Sequence, residues 1–327
     1  MTEITSGAHD ERVSTLTHLR GKTVVVTGAT TGVGRGVAWE AAMAGANVVA
    51  AARRRKELDD VVARIAAGGG VAIAVPTDVS DAAAVDRLAS DAVARFGRID
   101  VWINNAGIGA IGPFWDVPVV DHARVIEVNL TGVIAGAHAA LRQFRTQEDG
   151  GVLINVGSVE SSVPLAYQAS YAASKAGITG LGRTLRQELR LSGEDRRIRI
   201  STILPWALDT PFWNRAGNRT GHSLRMAAMS SPRPVVDAIV RSCTHPRPWR
   251  PVGAKARLAL SAARVAPDVV DRLSARIAGI EARLGAPTPH TPGAIHESTG
   301  VDATVTGGVR ARMRREDASS PRRLLGR

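Results

Sequence analysis

Lys22-Thr-Val-Val-Val-Thr-Gly-Ala-Thr-Thr-Gly-Val-Gly34 decides how the rest of the chain is read. The run Thr-Val-Val-Val-Thr has no polar alternation, so it fits a strand covered on both faces, as in a parallel sheet. Gly28, Gly32 and Gly34 follow at once in the pattern TGxxxGxG, and an amphipathic segment continues to about Ala44. Strand, glycine turn and helix make one unit. Glycine lets a backbone approach a pyrophosphate, and the helix N-terminus offers it unpaired N–H groups.

Outward from this unit, runs at 47–52, 71–75, 99–104, 152–156, 199–204 and 249–252 read as further strands separated by helical segments. That alternation indicates parallel βαβ units and an α/β fold. Long helices are expected at 119–144, with Asn129 inside, and at 168–191, a short one at 235–242, and a helix cap at Ser80. Ligands of such sheets bind at the carboxyl ends of the strands. At the end of the second strand, a carboxylate would accept from a ribose 2′-hydroxyl. This chain has Ala52, Arg53 and Arg54 there, and no acid before Glu57. Arginine holds a 2′-phosphate bidentately, so Arg53, with Arg54 as helper, predicts NADP(H).

Tyr171-Ala-Ala-Ser-Lys175 puts one of only two tyrosines and one of four lysines four residues apart on an expected helix, where i and i+4 share a face. A phenol of pKa about 10 is a poor acid or base near neutrality, and an adjacent ammonium is expected to lower it. Ser158 ends the fifth strand, with Ser161 and Ser162 close by, and spacing alone does not choose among them.

Together TGxxxGxG, Asn104-Asn105-Ala106-Gly107, Ser158 and Tyr171-x-x-x-Lys175 resemble the short-chain dehydrogenase/reductase family over about residues 20–253. The resemblance implies a single doubly wound, Rossmann-type domain with a seven-stranded parallel sheet and helices on both faces. It selects Ser158, thirteen residues before the tyrosine, and assigns catalysis to Asn129, Ser158, Tyr171 and Lys175. It further implies cofactor contacts from Gly28, Thr30, Thr31, Gly32, Val33, Gly34, Asp78, Val79, Asn105, Ala106, Gly107, Pro205 and Thr210, and from Tyr171 and Lys175 themselves. Where the family usually has Pro-Gly, this chain has Pro205-Trp206. Trp206, Phe212 and Trp213 are therefore expected to wall a large apolar substrate site.

The net charge of +12 is uneven: residues 1–240 carry 26 basic and 23 acidic side chains, and residues 241–327 carry 16 and 7. A nearly neutral core with no aromatic and basic face argues against nucleic acid as partner. Cys243 is the sole cysteine, which excludes an intrachain disulfide, and no metal site is expected. No run reaches the length of a membrane span, so a soluble, cytoplasmic homo-oligomer acting on a small molecule is expected. An NADP-binding regulatory protein without turnover is the alternative, disfavoured by the intact Ser158, Tyr171 and Lys175. Residues 1–20 read as a mobile arm. Residues 254–284 read as an amphipathic extension broken at Pro267, docked on the protein in preference to a partner subunit or an anionic membrane surface. Residues 285–327, rich in proline, glycine and arginine, read as a disordered basic tail dispensable for stability.

Overall fold

The valines of β1 (Thr23–Thr27) divide between two apolar layers. Val24 and Val26 pack with Val37, Ala41, Leu58 and Ile65, while Val25 packs with Leu88, Ala140 and Phe144. Successive side chains of a strand point to opposite faces, so a wholly apolar strand must be covered twice. The computed structural model, which describes residues 19–297 and 303–319, provides both covers. On one face lie α1 (Gly32–Met43), α2 (Arg55–Ala67) and, later in the chain, α8 (Arg233–Thr244); on the other lies α3 (Ala82–Phe96). With α3 lie α5 (Gly132–Thr146), preceded by α4 (Val119–Ile126), and α6 (Ala169–Leu191). A short α7 (Phe212–Arg215) sits in the loop that follows the sixth strand of the sheet.

The sheet between them has seven parallel strands in the order β3-β2-β1-β4-β6-β7-β9. Its other members are β2 (Asn47–Ala52), β3 (Val71–Pro76), β4 (Val101–Asn104), β6 (Gly151–Val156), β7 (Ile198–Pro205) and β9 (Trp249–Val252). This is a doubly wound, Rossmann-type sheet. A separate pair, β5 (Ala110–Ile111) and β8 (Gly217–Asn218), ties two loops together at the carboxyl edge and carried no signal in the sequence. Among the described residues no helix is long and apolar enough to cross a membrane.

Element limits shift where a side chain intervenes. β4 begins at Val101, two residues later than expected, because the Asp100 carboxylate accepts from the Thr23 N–H at 2.9 Å and from Lys22 Nζ at 3.0 Å. The cap of α3 is Asp81, which accepts from the Ala83 N–H, while the Ser80 hydroxyl donates to Asp78. The long helix expected over 119–144 is interrupted by a π-helical turn, Glu127–Thr131, centred on Asn129. Such turns widen a helix by one residue and recur at functional sites.

Pro267 separates α9 (Ala254–Val265) from α10 (Pro267–Leu284), as its missing N–H requires. The buried line runs through Ala256, Leu260, Ser274 and Ala278, whereas Leu258, Val265, Val269, Leu273 and Ile280 are exposed. The three-and-four spacing therefore finds the helices but not the face that docks. Residues 1–18 of the expected arm lie outside the described residues, as do 298–302 and 320–327 of the tail.

The described parts of the tail are packed against the body, although their composition suggested disorder. Thr291 exchanges two backbone hydrogen bonds with Asn218, and Ser223 N–H donates to Ala286. Ile295 and Val309 are buried. From α11 (Val309–Ser319), Asp317 reaches Arg225 at 2.8 Å and Glu316 at 3.5 Å, and Glu281 of α10 reaches it at 2.8 Å. The Arg225 side chain is 3% exposed. Composition misleads here because ordering entropy is offset by backbone pairing and a shielded charge cluster rather than by a large apolar surface. Removing residues 303–327 leaves Arg225 with Glu281 alone. Losing the charge-assisted bond to Asp317 costs about 1.5–3 kcal/mol, and at about 2 °C per kcal/mol the melting midpoint should fall by about 3–6 °C. A midpoint unchanged in a thermal melt would show that this cluster does not hold the tail.

Candidate active site

Two loops at the carboxyl edge approach more closely than side chains allow. Gly28 has φ of 67°, and a Cβ there would lie 2.9 Å from the Ala106 Cα. A Cβ on Gly34 would lie 2.3 Å from the Gly28 carbonyl oxygen and 2.4 Å from Asn105 Nδ2. Thr27 Oγ1 donates to the Ile103 carbonyl at 3.2 Å and accepts from the N–H groups of Asn105 and Ala106, at 3.0 and 3.2 Å. Asn105 Nδ2 returns a bond to the Thr27 carbonyl at 2.9 Å. The glycine turn and the run Asn105-Ala106-Gly107 are thus one construction, and Thr27 is its fastener.

A cavity of about 410 Å³ opens beside it, lined at one end by Gly28, Thr30, Thr31, Gly32, Val33 and the segment after β2. Gly34 lies behind this wall as a packing residue. Arg53, Arg54, Asp78 and Val79 all line the cavity. Arg215, which no sequence signal singled out, joins Arg53 and Arg54 there and donates to Thr31 Oγ1 at 3.2 Å. Burial, then the charges of Arg54 and Arg53, pull the Arg215 guanidinium down to about 10. Arg53 donates to the carbonyls of Ala294 and His296, both at 3.1 Å, and the Gly32 N–H donates to the Thr304 carbonyl at 2.8 Å. Asp78 is engaged by Ser80 and, at 2.6 Å, by Arg124. Burial opposes its charge, yet these hydrogen bonds hold its carboxyl below the usual range.

At the opposite end Ser158, Tyr171 and Lys175 meet. The Ser158 hydroxyl acts on Tyr171 so as to favour its ionised form, and Lys175 Nζ donates to the Val156 carbonyl at 2.9 Å while lying 5.4 Å from the Tyr171 ring centre. Asn129 is wholly buried beneath them. Its Oδ1 accepts from the Ile108 N–H at 2.8 Å, and its Nδ2 donates to the Ile108 carbonyl and to Ser174 Oγ. Thr210 and Pro205 line the same wall, with the Thr210 Cβ 3.5 Å from where a Gly32 Cβ would stand. Trp206, Phe212 and Trp213 line the cavity, joined by Met226 and, from α10, Ser274 and Ile277. Phe212 lies 5.4 Å from the Tyr171 ring, and Trp213 is fixed by donation to the Leu208 carbonyl at 2.9 Å.

The electrostatics correct one expectation. The Tyr171 hydroxyl is raised, not lowered, by burial first and then by Glu160, against the Ser158 hydrogen bond. Glu160 was not singled out in the sequence; a carboxylate two residues beyond Ser158 in apolar surroundings was the available signal. Burial lowers Lys175 and raises Glu160, and each charge works against the shift of the other.

The glycine cradle, which any Cβ would fill, and the cationic cluster beyond it fit an extended dinucleotide with an anionic middle. A doubly wound sheet with this edge defines a dinucleotide-dependent enzyme class. The sequence model of the short chain dehydrogenase family matches residues 22–220. The chain is 43% identical over 195 residues to 3beta-hydroxysteroid dehydrogenase 1 of Eggerthella lenta, covering 59% of this chain and 73% of that one. It is 32% identical over 266 residues to the uncharacterized oxidoreductase YxnA of Bacillus subtilis, covering 80% and 74%. A short chain dehydrogenase/reductase of Burkholderia phymatum, solved in complex with NAD, superposes with a TM-score of 0.67 at 26% identity, covering 76% of this chain and 95% of that one. The chain belongs to the short-chain dehydrogenase/reductase family, as an oxidoreductase of hydroxyl or carbonyl substrates with a nicotinamide cofactor.

The close approach at Gly34 can be checked directly. Gly34→Ala should destabilise the fold by about 1–3 kcal/mol through overpacking against the Gly28 carbonyl, read from urea unfolding. A change under about 0.5 kcal/mol would mean that the loops do not meet this closely.

Proposed function

We propose that the protein is an NADP(H)-dependent oxidoreductase moving a hydride between nicotinamide and a carbonyl or secondary alcohol of a fairly large, mostly apolar substrate. The observation that carries this is the meeting of Ser158, Tyr171 and Lys175 at one end of a cavity whose other end gathers Arg53, Arg54 and Arg215. The bound cofactor supplies or accepts the hydride. Gly28, Thr30, Thr31, Gly32 and Val33 hold its pyrophosphate, with Gly34 permitting the loop's close packing. Asp78, Val79, Asn105, Ala106 and Gly107 would flank the bound cofactor, Pro205 and Thr210 would contact its reacting end, and Lys175 would hold its ribose. Tyr171 gives a proton to the substrate oxygen in reduction and removes it in oxidation, Ser158 fixes that oxygen, and Asn129 holds the loop at Ile108 in place.

Three guanidiniums favour a 2′-phosphate over a bare hydroxyl. Charge-assisted hydrogen bonds contribute about 1.5–3 kcal/mol, so kcat/KM should favour NADPH over NADH by roughly ten- to a hundredfold, and Arg53→Ala should erase most of that preference. Equal use of NADH by the unaltered protein would sink the cofactor assignment. For the chemistry, Tyr171→Phe should bind cofactor with unchanged affinity yet lose turnover by a factor of roughly a hundred or more. Retention of most activity would reject Tyr171 as the acid/base.

The large apolar wall of Trp206, Phe212, Trp213, Met226 and Ile277 supports the substrate reading. Replacing Trp206 by glycine should alter relative use of carbonyl substrates by about tenfold. A uniform loss across the panel would assign Trp206 to packing instead.

A further inference from the structure

The sides of α9 and α10 that do not dock on the body carry a pattern of their own. With 3.6 residues per turn, Val269, Leu273, Ile280, Arg272, Arg276 and Arg283 fall within one arc of about 100° on α10. All six are exposed. On the other side of the helix Ser274 and Ala278 are buried, and Ser274 and Ile277 line the cavity. The acids of α10, Asp268, Asp271 and Glu281, lie outside the exposed arc, and Glu281 is held by Arg225. α9 repeats the arrangement without any acid. Its Leu258 and Val265 are 73% and 86% exposed, and Lys255, Arg257 and Arg264 flank them. Of these three, Lys255 donates to the Ala228 carbonyl and Arg264 lies over the Trp249 ring. Arg272, Arg276 and Arg283 make no ion pair among the described residues.

A row of apolar side chains left in water marks a contact surface, and the arginines beside it narrow what the contact is. A second copy set across a two-fold axis would bring the same arginines face to face, with no acid in the arc to answer them. A groove that wraps an amphipathic helix needs that helix free on its flanks. α9 and α10 are instead fixed to the body along Ala256, Leu260 and Val270, so only a broad surface meets their outer sides. The interface of an anionic bilayer is such a surface. It takes apolar side chains at the acyl boundary, while arginine stems lie along the apolar layer and their guanidiniums reach the phosphates.

We propose that α9 and α10 seat the protein on an anionic membrane surface, with Val269, Leu273 and Ile280 entering the headgroup boundary and Arg272, Arg276 and Arg283 pairing with lipid phosphates. Leu258 and Val265 extend the contact along α9. The contact is peripheral, since α10 is held to the body on its other side.

The test mixes the full chain with large vesicles of phosphatidylcholine alone, or of equal parts phosphatidylcholine and phosphatidylglycerol, and reads the bound fraction by sedimentation at low and high salt. Two variants accompany it, the triple Arg272→Gln, Arg276→Gln, Arg283→Gln and the triple Val269→Ser, Leu273→Ser, Ile280→Ser. Melting followed by circular dichroism confirms that both are folded. The full chain should bind the mixed vesicles and not the neutral ones, less tightly as salt rises, and each variant should bind about tenfold more weakly or worse. A chain that both vesicles leave in solution overturns the proposal, as does equal binding to the neutral vesicles. Binding indifferent to the serine variant overturns it too, since charge alone would then hold the protein, and so does binding indifferent to the glutamine variant. Light scattering without lipid should give the same number of subunits for the full chain and the serine variant; a lost oligomer would assign the face to a second copy. No arm reads enzyme activity, so the outcome stands apart from the oxidoreductase reading.

Discussion

The Thr27 hydroxyl sits where the structure has least freedom. It ends the central strand, where it donates to Ile103 and accepts from two successive N–H groups of the next loop in the sheet. That linkage holds the Asn105 loop against the glycine turn at distances that only hydrogen atoms at Gly28 and Gly34 permit. The parallel register Thr27↔Ala51 and Asn104↔Asn155 then brings the ends of four strands to one edge. Every residue of the candidate site leaves the sheet at that edge or is carried to it by the following segment. A strand pairing slipped by one residue would invert the valines of β1 and disperse the site at once.

What the sequence discloses is local and periodic. The valine run, the glycine spacing and the return of strands between helices need only near neighbours, and the i,i+4 pair Tyr171 and Lys175 follows from helical pitch. What it conceals depends on distance along the chain. Arg215 meets Thr31 across 184 residues, and Arg53 meets Ala294 across 241. No spacing rule reaches that far. The π-helical turn around Asn129 is hidden for another reason: its cause is the grip of Asn129 on both backbone groups of Ile108, a tertiary demand that overrides helix propensity.

Charge in the C-terminal region behaves differently from its count. Although residues 241–327 are strongly basic, three of the seven acids of that region, Glu281, Glu316 and Asp317, are spent on Arg225 in the body. Its carbonyls meanwhile take donors from the candidate site, those of Arg53 and the Gly32 N–H. These are the donor types that anions use at helix N-termini and arginine forks. A neutral carbonyl satisfies them without bringing charge, so the cationic character of that end of the cavity is preserved while its hydrogen bonds are met.

The reaction end presents the opposite balance. A phenol that is to deliver a proton must keep it until the substrate oxygen gains negative charge, and burial together with Glu160 makes Tyr171 hold its proton more firmly than free tyrosine. The same carboxylate supports the ammonium of Lys175, which burial would otherwise discharge. When ionised, Glu160 thus favours both the protonated phenol and the cation beside it, while burial raises its own carboxyl to about 8 and opposes that charge. Withdraw its charge, and the phenol is eased while the ammonium is weakened, so the two effects oppose each other and the groups titrate as a set rather than singly. In the proposed reduction the developing oxyanion enters a site that already contains a proton on Tyr171, a hydroxyl on Ser158 and a cation on Lys175. All are fixed by backbone or neighbouring side chains before substrate arrives, which is the condition under which electrostatic stabilisation costs no reorganisation.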